Sequence, residues 1–239
     1  MNRDSIVFDK PFSFDSNVSE CFTDMISRSI PGYDLLRDLV YRLGKNFVVE
    51  NTTILDVGCS NGIDVLKFIK EYHDTNNFVL IDNSPDMIKK AKELVKSVVG
   101  ITDKVECKTR DLISYDLRDV SNVSLGLCLF LLQFIPLEDR QQVLQNIFNT
   151  LIPGGALIIA EKYLPKTSLM NNLFRDEYYN IKRDNGYTLE QIYSKRNALR
   201  TVMYPVSESM IKDMLIDCGF SKVETFWKCL NFCGFIAIK

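Results

Sequence analysis

Asp56-Val-Gly-Cys-Ser-Asn-Gly62 sets two glycines four apart, between an apolar run and a helical pattern. Gly58 lets the backbone turn and approach a ligand with no Cβ in the way, and Gly62 lets the following helix lie close to its neighbours. A helix starting there turns free amides toward an anionic group. Asp82 ends the next apolar run, 20 residues past Gly62, where a carboxylate can accept both ribose hydroxyls of a nucleotide. Its competing role is to cap the helix that starts after Ser84. Ser60 departs from the dinucleotide pattern, because it stands where a middle glycine would admit a pyrophosphate.

A second group lies in residues 162–205, a polar, aromatic and helical stretch carrying Arg175, Lys182, Arg183, Lys195, Arg196 and Arg200 among Tyr178, Tyr179, Tyr187 and Tyr193. Following a fifth strand, it falls over the carboxyl ends of the strands, where ligands bind in open α/β sheets, and is a lid candidate. Glu161, just before it, is a possible base if it faces the site; pairing with Lys162 or Arg200 is its structural alternative. One histidine, His73, cannot build a multi-His zinc site. It falls at the far end of the helix after the glycine turn. No C-x-x-C pair is present, so no metal site is expected.

These groups need a scaffold, and the periodicities supply one. Residues 33–49 place apolar side chains at helical spacing, and residues 53–57 read as a buried strand. A helix is expected right after the glycine turn (Ile63, Leu66, Ile69, Tyr72). Residues 78–82 form the next strand, and Ser84-Pro85 caps a helix with proline in its first position. Strands follow at 105–108 and 124–130, then a helix at 138–151 closed by Pro153-Gly154-Gly155, and a strand at 156–161. Helices interleaved with apolar strands predict a doubly wound parallel sheet. Strands at 223–228 and 232–238, after a helix at 207–218, predict an antiparallel hairpin at its edge.

The 239 residues, 46% hydrophobic and 25% charged, suit a globular chain with a full core. Lys+Arg 29 against Asp+Glu 31 leaves a net charge of −2, without the basic excess of a duplex-binding protein. Direct nucleic-acid contact is not expected. Seven cysteines are an odd number and fit reduced thiols in the cytoplasm. The amino-terminal MNRDSIVFDK has no apolar signal region, and the longest apolar stretch, 125–132, is far below the ~18 residues of a membrane span. A cytoplasmic protein with no membrane contact is expected.

The glycine loop is similar to that of class I S-adenosylmethionine-dependent enzymes, whose nucleoside carries an amino-acid tail in place of a diphosphate. Asp111 is similar to the position that contacts adenine in that superfamily, with Leu112 covering the ring. More specific words follow. Phe12-Ser-Phe-Asp15, Phe22-Thr-Asp-Met-Ile-Ser-Arg-Ser-Ile-Pro-Gly-Tyr33, Val57-Gly-Cys-Ser60 and Ile81-Asp-Asn-Ser-Pro85 resemble the carboxy-S-adenosyl-L-methionine synthase family. So do Leu132-Gln-Phe134, Pro153-Gly-Gly-Ala156, Lys182-Arg-Asp-Asn-Gly-Tyr187, Tyr193-Ser-Lys-Arg196 and Phe226-Trp-Lys-Cys-Leu-Asn-Phe232.

The resemblance covers nearly the whole chain in order. It implies a Rossmann-like, doubly wound, mostly parallel seven-stranded sheet with an antiparallel C-terminal hairpin and a helical lid insertion. As one domain, 1–239 divides into an N-terminal helical arm (1–50), a nucleotide-binding core (51–161), the lid (162–205) and a C-terminal helix and hairpin (206–239). The implied reaction moves a carboxyl group from prephenate to the methyl carbon of S-adenosylmethionine, through a sulfonium ylide that captures carbon dioxide. It gives carboxy-S-adenosylmethionine and phenylpyruvate, and a separate enzyme uses the product on a tRNA wobble uridine. The implied nucleoside contacts are Tyr33, Gly58, Cys59, Ser60, Asp82, Asn83, Asp111, Leu112, the position of Leu129, and Arg196. Arg196 matches the family's carboxylate-binding arginine, a task that suits a guanidinium fork. Leu129 stands where the family has an asparagine, which removes a polar contact. Arg200, Arg183 or Lys182 could help draw in the dianionic prephenate. No general base is assigned, and a homodimer is implied, with Arg196 serving its own site or a partner's. The rival readings are an ordinary methyltransferase acting on a small acidic metabolite and a non-catalytic nucleoside-binding protein.

Overall fold

The computed structural model describes residues 3–100 and 102–239; Met1 and Asn2 of the expected arm, and Ile101, lie outside the described residues. Helices α1 (Ser16–Ser29) and α2 (Tyr33–Gly44) precede β1 (Thr53–Val57), α3 (Leu66–Tyr72), β2 (Asn77–Asp82), α4 (Pro85–Val99) and β3 (Val105–Thr109). There follow β4 (Val123–Leu129), a 3-10 turn (Leu132–Phe134), α5 (Leu137–Thr150) and β5 (Leu151–Leu164). Helices α6 (Ser168–Asp184) and α7 (Leu189–Leu199) form the insertion, and β6 (Val206–Ser207), α8 (Glu208–Asp217), β7 (Lys222–Cys229) and β8 (Phe232–Ile238) close the fold.

The sheet runs β3-β2-β1-β4-β5-β8-β7, parallel through β5, with β8 antiparallel to both β5 and β7. This is the expected seven-stranded path. An eighth strand, β6, pairs parallel with the end of β5 through Tyr163 and Leu164. At two residues it is too short to carry any alternation in the sequence. Every residue of β1 and β4 is buried, because both faces of the sheet are covered. Along β5, Leu157, Ile159 and Tyr163 enter one core, whereas Ile158 and Ala160 enter the other. Each buried leucine or isoleucine there contributes about 1.5–3 kcal/mol.

Four local expectations are corrected. Residues 3–15 are not helical; Phe12 donates its backbone N–H to the carbonyl of Ala198 at 3.0 Å, so the arm is strapped to α7. Helix α2 ends at Gly44, five residues short of the predicted end. Helix α3 begins at Leu66 rather than directly after Gly62, because Asn61 to Val65 form turns and Arg37 takes the carbonyl of Ile63. Its N-cap, Val65, offers no side-chain cap hydrogen bond, and four residues, 62–65, separate Asn61 from the helix. Finally, α5 passes directly into β5, and Pro153-Gly154-Gly155 bulges within that strand, between the pairs Val123–Leu151 and Leu125–Ala156.

Candidate active site

β1 has β2 on one side and β4 on the other, so the chain's winding reverses between β1 and β4. At such a switch point the loops after the strands splay apart and leave a crevice at their carboxyl ends. A cavity of about 640 Å³ opens there, lined by residues that follow β1, β2, β3, β4 and β5 and roofed by the arm, α1 and the lid.

The glycine turn is shaped for close approach. Gly58 has φ +70°, and a Cβ there would lie 2.9 Å from Leu131 Cδ1. Ser60 is also left-handed (φ 48°), as is Phe130 across the cavity (φ 60°). Each such non-glycine position costs on the order of 1–3 kcal/mol, and strain of this kind gathers at ligand sites. Asp82 fixes the loop: one carboxylate oxygen accepts the N–H of Ser60 and the other that of Ser84, both at 2.9 Å. The helix cap is Ser84, whose hydroxyl accepts the N–H of Met87. A carboxylate has about four acceptor positions, so each Asp82 oxygen keeps one for a ligand.

Acidic groups gather at this end. Asp64 lines the cavity and is held by the Tyr33 hydroxyl at 2.6 Å and Arg37 Nε at 2.9 Å. Behind the loop, Asp56 is 2% exposed and its Oδ2 has no hydrogen-bond partner. Burial pushes its carboxyl far up, and the charges of Asp64 and Asp82 push it further. Burial likewise raises Asp64, against the Tyr33 and Arg37 contacts, and raises Asp82 against its two backbone amides.

Of the residues expected at the nucleoside, Gly58, Ser60, Asp82, Asn83, Asp111, Leu112 and Leu129 all line this one cavity. Three do not. Tyr33 stands one contact behind it, through Asp64. Cys59 is buried and inert; desolvation drives its thiol pKa far up. Arg196 is exposed on α7 beside Tyr179 and lies outside the cavity of its own chain, because the inward stripe of that helix is Ile192, Lys195 and Ala198.

Glu161 does not line the cavity either. Its two oxygens accept the backbone N–H groups of Leu132 (2.8 Å) and Gln133 (2.9 Å), and burial lifts its carboxyl to about 8. It is a clamp on the turn after β4, paired with neither Lys162 nor Arg200. Strand alternation explains the first: Glu161 and Lys162 are neighbours and point to opposite faces of β5. Lys182, Arg183 and Arg200 are also outside the lining. Instead the lid side of the cavity presents Lys162, Lys195 and Tyr178. Lys195 was legible from its place in the 192–195–198 stripe, and Lys162 from continuing the alternation of Ile158 and Ala160. His73 caps the far end of α3, with Nδ1 3.1 Å from the carbonyl of Ile69.

A family model described as a methyltransferase domain matches residues 54–155. A carboxy-S-adenosyl-L-methionine synthase of Pseudoalteromonas translucida (strain TAC 125) is 37% identical over 234 residues, 96% of this chain and 94% of the relative. That of Actinobacillus pleuropneumoniae serotype 5b (strain L20) is 36% identical, and the alignment covers 100% of both chains. The chain belongs to the carboxy-S-adenosyl-L-methionine synthase family. Solved methyltransferases share the fold. A magnesium protoporphyrin IX methyltransferase from Synechocystis PCC 6803 with bound SAH superposes with a TM-score of 0.61 at 17% identity, covering 89% of this chain and 86% of its own. An S-adenosylmethionine-dependent methyltransferase from Methanosarcina mazei gives 0.60 at 19%, covering 83% and 97%.

S-adenosylmethionine, the substrate of this family of transferases, fits the cavity. The carboxylates of Asp64 and Asp82 suit a cationic nucleoside, and behind them the orphaned Asp56 oxygen leaves an acceptor for a bridging water. Gly58 keeps the loop free of a side chain where the nucleoside must approach. Asp111 is tethered to its own loop, its Oδ1 accepting the N–H of Ile113 at 3.0 Å, and keeps its other oxygen for a base edge. Leu129 closes this wall with an apolar surface at the end of β4. Among the described residues no group of three or more His, Cys, Asp or Glu is placed to hold a metal ion.

Proposed function

We propose that the protein transfers a carboxyl group from prephenate to the methyl carbon of S-adenosylmethionine, releasing phenylpyruvate, and that its product serves a separate enzyme acting on a tRNA wobble uridine. The observation that carries this reading is that one continuous cavity joins the acidic nucleoside end to a lid side bearing lysines. A methyl donor alone needs only the first end; a second, anionic reactant needs the other.

Proximity is the main contribution expected of the chain, since holding two reactants together can supply about 7–11 kcal/mol of a barrier. Atom balance sets what must be accommodated. Aromatisation of the donor removes one carboxyl group and the ring hydroxyl, and the methyl group gives up one proton; hydroxyl and proton leave as water. Balance therefore calls for no redox partner. Nor does the cavity put an imidazole or a low-pKa thiol in position to act as base, with His73 remote and Cys59 buried away from the lining. In this reading the proton goes to the donor's own departing hydroxyl or carboxylate, as the family resemblance implies, and no residue of the chain is assigned as the base.

A homodimer is part of this reading. The arm's Phe12 and Phe14 pack into the chain's own aromatic cluster with Phe22 and Phe134, which favours the lid as the dimer surface. Leu169, Met170, Leu173 and Tyr193 stay exposed on the outer face of the lid. Apposed lids of two protomers bring the exposed Arg196 of one toward the cavity of the other, which reconciles its exposure with a carboxylate-binding role.

The test is the nucleoside released from freshly purified, denatured protein, read by mass spectrometry, with phenylpyruvate formation from added prephenate. S-adenosylmethionine bearing one extra carboxyl group, and phenylpyruvate in equal amount, are expected. S-adenosylhomocysteine with a methylated product, and no use of prephenate, moves the function to ordinary methyl transfer.

A further inference from the structure

Lys162 lies at the carboxyl end of β5, on the sheet face it shares with Ile158 and Ala160, paired across the antiparallel ladder with Phe232. Its Nζ sits 4.8 Å from the ring centre of Tyr178 and 5.6 Å from that of Phe232. Among the described residues no carboxylate lies within 4.0 Å of it, although it lines the cavity. Lys195 lines the same region from α7, 8% exposed, with Ser29 Oγ at 3.5 Å and Asp4 Oδ2 at 3.9 Å. Behind the wall, Lys182 is 3% exposed and lies over Tyr178 and Tyr187 at 5.5 and 4.9 Å.

Four cations meet here: Lys162, Lys182, Lys195 and Arg28. Arg28 is paired with Asp24 at 2.8 Å, and Asp4 faces Lys195 while accepting the Tyr187 hydroxyl at 2.6 Å. Two carboxylates face four basic side chains, so the buried amines are sparsely paired. Desolvation lowers Lys162 and Lys195 to about 8 and Lys182 to about 7, the last also by repulsion from the other two. Burying amines so sparsely paired is unfavourable for the folded chain alone, and becomes favourable when an anion enters.

We propose that Lys162 and Lys195 form the binding site for the carboxylates of a dianionic, dicarboxylate co-substrate, with Lys182 as a positioning charge behind Tyr178. The identification of that co-substrate with the carboxyl donor rests on the function proposed above. The cavity is then bipolar. Asp64 and Asp82 face the cationic nucleoside, and the two lysines face the dianion; Arg110, the other cation of the lining, sits beside Asp111 at the opposite end. Phe12, whose ring centre is 5.9 Å from Lys195 Nζ, lines the cavity with Phe14 and Phe134, and these rings suit one carried by that anion.

The test compares the whole protein with Lys162→Met, Lys195→Met and Lys162→Arg. Calorimetric titration with prephenate is done on protein saturated with S-adenosylhomocysteine, and turnover is measured separately. Each methionine variant is expected to weaken prephenate binding at least tenfold while the affinity for S-adenosylmethionine stays within twofold, and Lys162→Arg to recover most of the loss. Melting temperature is expected to hold or rise in Lys162→Met, because an unpaired buried charge is replaced by an apolar side chain of similar volume; a merely structural lysine would lower it. Unchanged prephenate affinity in both methionine variants, or equal losses for prephenate and the nucleoside, overturns the proposal. So does wild-type protein that fails to bind prephenate. Lysine-dependent binding in a protein that forms no phenylpyruvate keeps this site and removes the carboxyl-transfer reading, so the two fail separately.

Discussion

Glu161→Gln separates a clamp from a base and gives a signature in pH. In the folded chain the Glu161 carboxyl is raised to about 8 from its ordinary 4.5, chiefly by burial, even though two backbone amides favour its charged form. A raised pKa means that the folded state holds a proton the unfolded state has released. The stability from this group is thus fully present below 4.5 and is lost as pH climbs to about 8. Linkage across that window makes the loss between pH 5 and pH 9 about 4 kcal/mol.

Glutamine cannot titrate. It keeps one acceptor oxygen for Leu132 or Gln133 and turns an NH2 toward the other amide, a cost of about 1–3 kcal/mol that is independent of pH. The variant is expected to be less stable than wild type near pH 5 and equal or more stable near pH 9, as read from urea melts of both proteins. Because the clamped turn only shapes the wall that carries Gln133 and Phe134, turnover is expected within about tenfold of wild type. Loss of a general base would cost about 10²–10⁴-fold. A stability difference that does not move with pH, or a collapse of turnover in a folded variant, refutes the reasoning.

Gly58→Ala places a Cβ at a left-handed position 2.9 Å from Leu131, and S-adenosylmethionine affinity by calorimetry is expected to fall at least about tenfold, a loss of ~1.4 kcal/mol. Tyr33→Phe removes the 2.6 Å hydrogen bond to Asp64 and is expected to cost about 1.5–3 kcal/mol in urea melts, with nucleoside affinity also reduced. Coexpressed Arg196→Ala and Asp82→Asn chains, each inactive alone, are expected to regain activity in mixed dimers. Only an arginine acting across the interface allows this, and absence of complementation in verified mixed dimers assigns Arg196 to its own chain or to no site.

Local rules were enough for much of the scaffold. The buried run at 53–57, the Ser84-Pro85 start of α4 and the hairpin at the carboxyl end depend on neighbours in sequence, and the structure has them where the pattern puts them. Gly58 and Asp82 follow for the same reason, because a strand-turn-helix unit with a carboxylate at the next strand end is a local construction. Where the expectations failed, a distant partner had won. The start of α3 is delayed by Arg37 on another helix, and the arm is extended because Phe12 bonds to α7, far along the chain.

The charged residues divide along the same line. That Lys162 and Glu161 face opposite ways is written in the period of a strand, and that Lys195 faces inward while Arg196 does not is written in the period of a helix. Which of these faces becomes cavity wall and which becomes core is not, since it depends on where the lid settles. Glu161 turns out to meet two backbone amides and Lys162 two aromatic rings, with no carboxylate within 4.0 Å among the described residues. The sequence by itself determined the family, the winding of the sheet and, of the acidic nucleoside end, Asp82 and Asp111, while Asp64 came only with the structure. Only the tertiary structure decided that the lysines, rather than Arg196, Arg183 or Arg200, stand at the cavity, because their charges are brought together by segments more than a hundred residues apart, from Arg28 to Lys195, whose packing no short-range pattern records.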